Sequence, residues 1–320
     1  MTTTRNHSRV GVVLLNWNGG EYTIPCVESL LAGSVVPEWI LVWDNASTDD
    51  SPERIGKRFP GVQIIRSENN IGFAAANNRG ASELLRRGAD HVWILNNDTL
   101  VAPDCLKVLM EAMEEHPEVA GATGKILYTE PADAIWYAGA RCRPWSLKAD
   151  HRGVGERDVG QFDQAGPVEF ISGCCMLIRR EALESHGLFD ERYFIYDEDT
   201  DWCLRMREAG RILWYEPRAV LWHRVSATMK KNTLGGAGGT VSAKQHYYYA
   251  RNQLFTIRRH AERPWQYVSA LACLLFNRVV ISGGLVLFGK WGKLASLWRG
   301  VADGWRTPVD GVCGEIGVLK

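Results

Sequence analysis

Four times in its first hundred residues the chain runs apolar for four to six residues and then stops in a cluster of amides, hydroxyls and carboxylates. Residues 10–15 end in Asn16-Trp17-Asn18-Gly19-Gly20, and residues 39–43 end in Asp44-Asn45-Ala46-Ser47-Thr48-Asp49. Residues 62–66 lead to Asn69-Asn70-Ile71-Gly72-Phe73, and His91–Leu95 breaks off at Asn96-Asn97-Asp98-Thr99. Helical stretches fall between them, over 21–32, from Pro52 onward and over 74–87. Strand and helix alternating at this spacing predict right-handed βαβ units and a mostly parallel sheet flanked by helices, an α/β fold. Oxygen-bearing side chains at the end of a buried strand cost free energy unless something there uses them. In open α/β sheets the carboxyl edge is where ligands bind, so the layout is that of a doubly wound nucleotide-binding sheet.

Downstream, the pattern predicts a helix over 103–115, irregular chain over 121–166, strands at 168–171 and 175–179, and a helix over 180–186. An acidic stretch then runs into a helix ending near Ala209, followed by short strands at 212–215 and 219–222 closed by His223. Lys230–Thr240 holds Gly235, Gly236, Gly238 and Gly239 and reads as a loop or hinge. These breaks divide the chain into a body over 1–229, a Gly-rich loop over 230–241 and a helical region over 242–320. Residues 265–289 are apolar but interrupted by Asn277 and Arg278, which argues against a clean membrane span.

Charge is segregated. The net charge is zero, with 37 basic and 37 acidic residues, but 13 basic and 4 acidic residues fall in 226–320, leaving the body net acidic. A basic, Trp-rich tail suits peripheral attachment to an anionic membrane surface; a helical pair packed on the body or in a dimer is the plainer alternative. No nucleic-acid partner is expected. The eight cysteines form no CxxC pair, and the N-terminus lacks an apolar leader, so a cytoplasmic protein with free thiols is expected.

Individual residues carry chemistry only with a bland alternative beside them. Asp44, Asn45 and Ser47 suit hydrogen bonds to a nucleobase or ribose, but also a helix cap. Asn70, Gly72 and Asn77 sit where a helix N-terminus favours an anion, or form an ordinary capped turn. Asn97 and Asp98 offer the hard oxygen ligands that Mg2+ or Mn2+ takes alongside substrate phosphates. Asp197, Glu198, Asp199 and Asp201 place four carboxylates within five residues, more than a helix dipole explains. His223 is either a metal ligand or a partly buried polar residue, and Arg205 either a neighbour of a diphosphate or plain helix surface.

Taken in order, Asn16-Trp17-Asn18-Gly19, Asp44–Asp49, Glu68–Asn78, Leu95–Asp98, Gly187–Glu191 and Glu198–Asp201 resemble family 2 of the inverting glycosyltransferases, most of all its bacterial rhamnosyltransferase-type branch. The resemblance covers roughly residues 9–260. It implies a GT-A fold, a nucleotide-diphospho-sugar donor and a glycan or lipid-linked acceptor. Asn16, Asn18, Asp44, Asn45, Ser47, Asn70, Gly72, Asn77 and Asn97 would line the donor site. Asp98, with His223, would hold a divalent cation, although the family's first acidic position is Asn96 here. Asp199, paired with Glu198, would be the general base, with Asp201 and Trp202 toward the acceptor, and the Gly-rich loop would close over the donor. The rivals are a nucleotidyltransferase, whose Lys/Arg-bearing Gly-rich signature is missing from 16–20, and an inactive binding module.

Overall fold

The computed structural model describes residues 8–224 and 241–311. The element order is β1 (Val10–Asn16), α1 (Gly20–Leu31), β2 (Trp39–Asp44), α2 (Ser51–Arg58), β3 (Gln63–Arg66), α3 (Gly72–Arg86) and β4 (His91–Leu95). Next come β5 (Thr99–Val101), α4 (Cys105–Glu115), β6 (Val119–Tyr128), β7 (Ile135–Tyr137), β8 (Ala140–Arg143), β9 (Lys148–His151) and β10 (Gly166–Val168). The chain continues through β11 (Cys175–Arg179), α5 (Arg180–His186), α6 (Glu198–Glu208), β12 (Ile212–His223), α7 (Ala243–His260), α8 (Pro264–Leu287) and α9 (Trp291–Arg306).

One ten-stranded sheet dominates, in the order β10-β12-β6-β11-β4-β1-β2-β3, with β5 added to β12 and β7 to β6. Its first half is parallel as expected: β1 lies between β2 and β4, and β3 pairs with β2. The other half is mixed, because β11 runs antiparallel to both β4 and β6 while β12 runs parallel to β6. β4 is fully buried between the halves, so its run of apolar side chains from Val92 to Leu95 needs no alternation.

Three expectations change. The stretch expected to be irregular contains β6, ten residues long and buried along nearly its whole length. Its Val-Ala-Gly-Ala-Thr-Gly opening is too small and unpatterned to announce a strand; the neighbours on both sides bury it. The two short strands at 212–215 and 219–222 are one strand, β12, whose register on β6 shifts between Glu216 and Val220, around Pro217. Extended pairing near 168 covers Gly166–Val168 rather than 168–171.

A second apolar cluster joins Leu147 at the tip of the β8–β9 hairpin to α7, α8 and α9. Helix α9 lies close on α7 because Gly300 and Gly304 face the carbonyls of Tyr247 and Arg251, where a Cβ has no room. The Gly-rich segment and its expected closure over the donor fall, up to residue 240, outside the described residues.

Candidate active site

The polar ends of β1, β2 and β4 meet in one hydrogen-bonded chain. Asn97 Nδ2 donates to Thr23 Oγ1 (2.8 Å), Thr23 donates to Asn16 Oδ1 (2.9 Å), and Asn16 Nδ2 donates to Asp44 (2.8 Å) and Ser51 Oγ (2.8 Å). Asp44 is fully buried, also accepts from Ser47, and has Arg66 at 3.6 Å. Asn18, in the left-handed region at φ 51°, accepts from the Thr48 amide (2.8 Å), while its own amide donates to Ser47 Oγ (2.9 Å). Asn45 accepts from the Ile71 amide (2.9 Å) and donates to Asn70 (3.1 Å), tying the second loop to the third. Asn77 is buried and turned back onto the Phe73 carbonyl (2.9 Å). These polar side chains therefore hold the loops in mutual register at the carboxyl edge.

Gly72 has a specific reason to be glycine. Its φ is +89°, and an added Cβ would stand 2.6 Å from the Phe194 carbonyl oxygen. That oxygen accepts the amides of Phe73 (2.6 Å) and Ala74 (3.2 Å), so the start of α3 is capped by protein rather than left open to an anion. Gly72→Ala is expected to destabilise the fold by about 1–3 kcal/mol, the range for a strained backbone position. Its urea midpoint measures this, and an unchanged midpoint would show that Phe194 moves aside.

The acidic loop hangs from that contact. Phe194, Tyr196 and Asp197 all have positive φ, at 64°, 71° and 66°. Helix α7 holds the loop in this form. Asn252 Nδ2 donates to the carbonyls of Tyr193 (3.0 Å), Ile195 (2.8 Å) and Tyr196 (2.7 Å). Tyr248 stacks on Phe194 with ring centroids 5.1 Å apart, and Tyr249 on Tyr196 at 4.4 Å. From the other side, Asn78 clamps Phe189 through its carbonyl (2.8 Å) and amide (3.0 Å). Sequence reasoning missed Asn78 and Asn252, although the unusual Tyr247-Tyr248-Tyr249 run marked the second.

Within the loop, Asp199 is half-buried; its carboxylate accepts the Gly173 amide (2.9 Å) and the Thr200 amide (2.8 Å). Burial raises its pKa, against the pull of those amides. Burial, then the Asp199 charge, holds Glu198 well above the usual carboxylate range, and its Oε2 has no partner among the described residues. The same causes bring Asp197 to about 6.

Asp201 and Trp202 are placed differently from the acceptor side suggested by the resemblance. Both are fully buried. Asp201 binds His260 Nε2 (2.9 Å) and Arg205 Nε (2.8 Å), with Arg259 at 3.3 Å, while the Trp202 indole donates to the Gly187 carbonyl (3.1 Å). With no surface toward a cleft, they anchor α6 to α7 and to the preceding loop. Arg205 likewise faces inward, donating to the His186 carbonyl (2.8 Å).

Asp98 and His223 come together because β5 pairs antiparallel with the end of β12, setting Thr99 opposite His223. Asp98 Oδ1 lies 3.2 Å from His223 Nε2, and Asp98 O accepts the Arg224 amide (2.8 Å). Trp136 sets its ring edge-on to the imidazole at 4.7 Å, and His223 Nδ1 is buried without a partner among the described residues. Among the described residues no group of three or more His, Cys, Asp or Glu side chains converges as a metal site. One carboxylate and one imidazole still fit a cation whose remaining ligands are water and substrate phosphate. Two adjacent residues join the clusters: Gly173 donates to Asp199, and the Cys174 carbonyl accepts the Asn96 amide (3.0 Å).

A parallel half joined to a mixed half in one helix-flanked sheet is the layout of the GT-A fold of sugar-nucleotide transferases. The chain belongs to glycosyl transferase family 2, whose family model matches residues 11–187. It is 30% identical over 242 residues to an N-acetylglucosaminyl-diphospho-decaprenol L-rhamnosyltransferase of Mycobacterium tuberculosis, covering 68% of this chain and 76% of the relative. In fold it resembles S. aureus TarS 1-349 in complex with UDP-GlcNAc (TM-score 0.59, 15% identity, 92% and 80% of the two chains). It also resembles the mannosyltransferase PcManGT of Pyrobaculum calidifontis in complex with GDP-Man and Mn2+ (TM-score 0.53, 15% identity, 93% and 76%). Of the longer S. aureus TarS chain it spans 43%. The protein is thus an inverting glycosyltransferase.

Proposed function

We propose that the enzyme transfers rhamnose from a nucleoside-diphosphate donor to a hydroxyl of a lipid-linked glycan at the inner face of a membrane, with Asp199 as the base. The reading rests on one observation above the others: Gly173 and Cys174 tie Asp199 and the Asn96-Asn97-Asp98 turn to the same edge of β11. The relative named as a rhamnosyltransferase acting on a diphospho-decaprenol-linked sugar supports the choice of donor and acceptor.

The acceptor hydroxyl attacks the anomeric carbon on the face opposite the diphosphate. The new C–O bond forms as the bond to the diphosphate oxygen breaks; the proton passes to Asp199, and the nucleoside diphosphate leaves with the electron pair. Asp199 suits the task because burial lifts its pKa toward working pH without removing its two amide donors. Asp98 and His223 would hold Mg2+ or Mn2+, which when bound neutralises charge on the departing diphosphate. The Asn16–Asp44 network presents the loops that take the nucleoside.

A screen of dTDP-, UDP- and GDP-sugars with and without Mn2+, read by nucleoside diphosphate release and thermal shift, is expected to select dTDP-rhamnose; selection of another sugar overturns the rhamnosyl assignment. In Mn2+ titrations with nucleoside diphosphate present, Asp98→Ala is expected to weaken metal binding by at least about 10-fold, the lower end of what even outer-sphere changes produce. Unchanged affinity would move the cation elsewhere.

A further inference from the structure

Helix α8 is built inside out for a helix of a water-soluble body. It is 24 residues long, with a mean hydropathy of 2.0 over its most apolar window, and only 28% of that window is buried. The buried stripe is narrow: Ala270, Leu274, Arg278, Ile281 and Leu285. The charge therefore points inward, where Arg278 donates to the Tyr249 carbonyl (3.0 Å) and Gln253 (2.8 Å). The outer face holds Val268, Phe276, Val279, Val280, Val286 and Leu287, with Phe276 73% and Leu287 85% exposed. At 1.5 Å per residue this strip runs about 28 Å. Exposed Trp265 stands at its start, and Trp291, Trp298 and Trp305 follow along α9 with Lys290 and Arg299 exposed beside them.

We infer that the outer face of α8, flanked by the tryptophans of α9, docks in the interfacial zone of an anionic bilayer, with the helix lying along the surface. This deepens the membrane location in the proposed function and rests on it for the identity of the acceptor alone. Charge selects the occupant: over 261–310 the exposed charged side chains are Arg263, Lys290, Arg299 and Arg306 against Glu262 and Asp310, so anionic headgroups attract this end and repel the acidic body. A second copy on the same face would bring the exposed Lys290 and Arg299 at its edge against their own copies. Tryptophan at the rim and aliphatics between are the composition of a helix that lies in the headgroup boundary. The inner stripe, gripped by α7, keeps the helix from leaving the body to cross the bilayer. Arg278 reaches from the docking helix to the Tyr249 carbonyl, and the Tyr249 ring stacks on Tyr196, so α7 links the docking helix to the acidic loop.

The full chain is tested by co-sedimentation with phosphatidylglycerol-phosphatidylcholine vesicles, pure phosphatidylcholine vesicles and no lipid, beside Phe276→Glu/Leu287→Glu. Expected is binding to the anionic vesicles that falls at least tenfold in the double variant and weakens with salt, while both proteins turn over a short-chain, water-soluble acceptor alike. Wild-type protein left in the supernatant with anionic vesicles overturns the proposal, as does a lipid-free dimer that the variant splits into monomers. Vesicle binding without rhamnosyl transfer to any acceptor keeps the docking surface and defeats the functional reading instead.

Discussion

Asp199→Asn is expected to lower turnover by about 10²–10⁴-fold, the usual contribution of a positioned base, while donor binding is kept. The amide keeps the shape, and its oxygen can still accept from Gly173 or Thr200, so a fall in kcat with little change in donor affinity isolates proton transfer from folding. The wild-type pH profile carries the same information. Burial raises the Asp199 pKa, so the active carboxylate is lost as pH falls through that raised value, and activity climbs on the acid limb. The variant should lose this limb. Unchanged turnover in Asp199→Asn would remove Asp199 from the mechanism. The raised pKa values of Asp197, Glu198 and Asp199 also have a stability sign: the folded state holds these protons more tightly than the unfolded chain, so each group costs stability as pH rises from its unfolded to its folded value, for Asp197 from 3.8 to about 6.

The other large effect is structural. Asp201→Ala is expected to destabilise the protein by about 3–5 kcal/mol, the cost of removing one partner from a buried charge cluster. Burial alone would raise the Asp201 pKa, but the His260 hydrogen bond and the Arg205 and Arg259 charges overcome it and bring the pKa to about 2. Its stabilisation is therefore complete above 3.8 and lost as pH falls through about 2. Burial pulls His260 down, yet its bonds to Asp201 and Glu208 win and raise it. Its own contribution is complete below 6.5 and lost as pH rises through the raised value. Chemical denaturation at pH 6 measures the Asp201→Ala loss. A change below about 1 kcal/mol, the scale of exposed pairs, would mean that Arg205, Arg259 and His260 find other partners.

The parallel half of the sheet was legible because its strands advertise themselves twice, by an apolar run and by the polar stop at its end. His91–Leu95 is a strand over the residues expected. β6 was not legible, since the glycine and alanines between Val119 and Thr123 leave no alternation to read; its strand character comes from β11 and β12 on either side. At the site, the pattern in sequence named Asp98 and His223, which pairing of β5 with β12 brings within 3.2 Å. It set Asp199 as base and Asp201, two residues on in the same acidic run, toward the acceptor, and did not foresee that Asp201 is fully buried. The difference lies in what faces each: backbone amides for Asp199, and the cations of α6 and α7 for Asp201. No local pattern reports partners some 60 residues away. Residue 278 interrupts the apolar stretch on paper, yet α8 continues through it because the guanidinium finds a carbonyl and an amide on α7.

The grip of Asn252 on the three carbonyls from Tyr193 to Tyr196 sets an order of events during synthesis. The parallel half of the sheet and its polar loops are all encoded before residue 100, whereas the clamp on the acidic loop emerges from the ribosome some 150 residues later. N-terminal units fold first as a chain is made. The positive-φ turns at Phe194, Tyr196 and Asp197 therefore gain their hold only once α7 has been made.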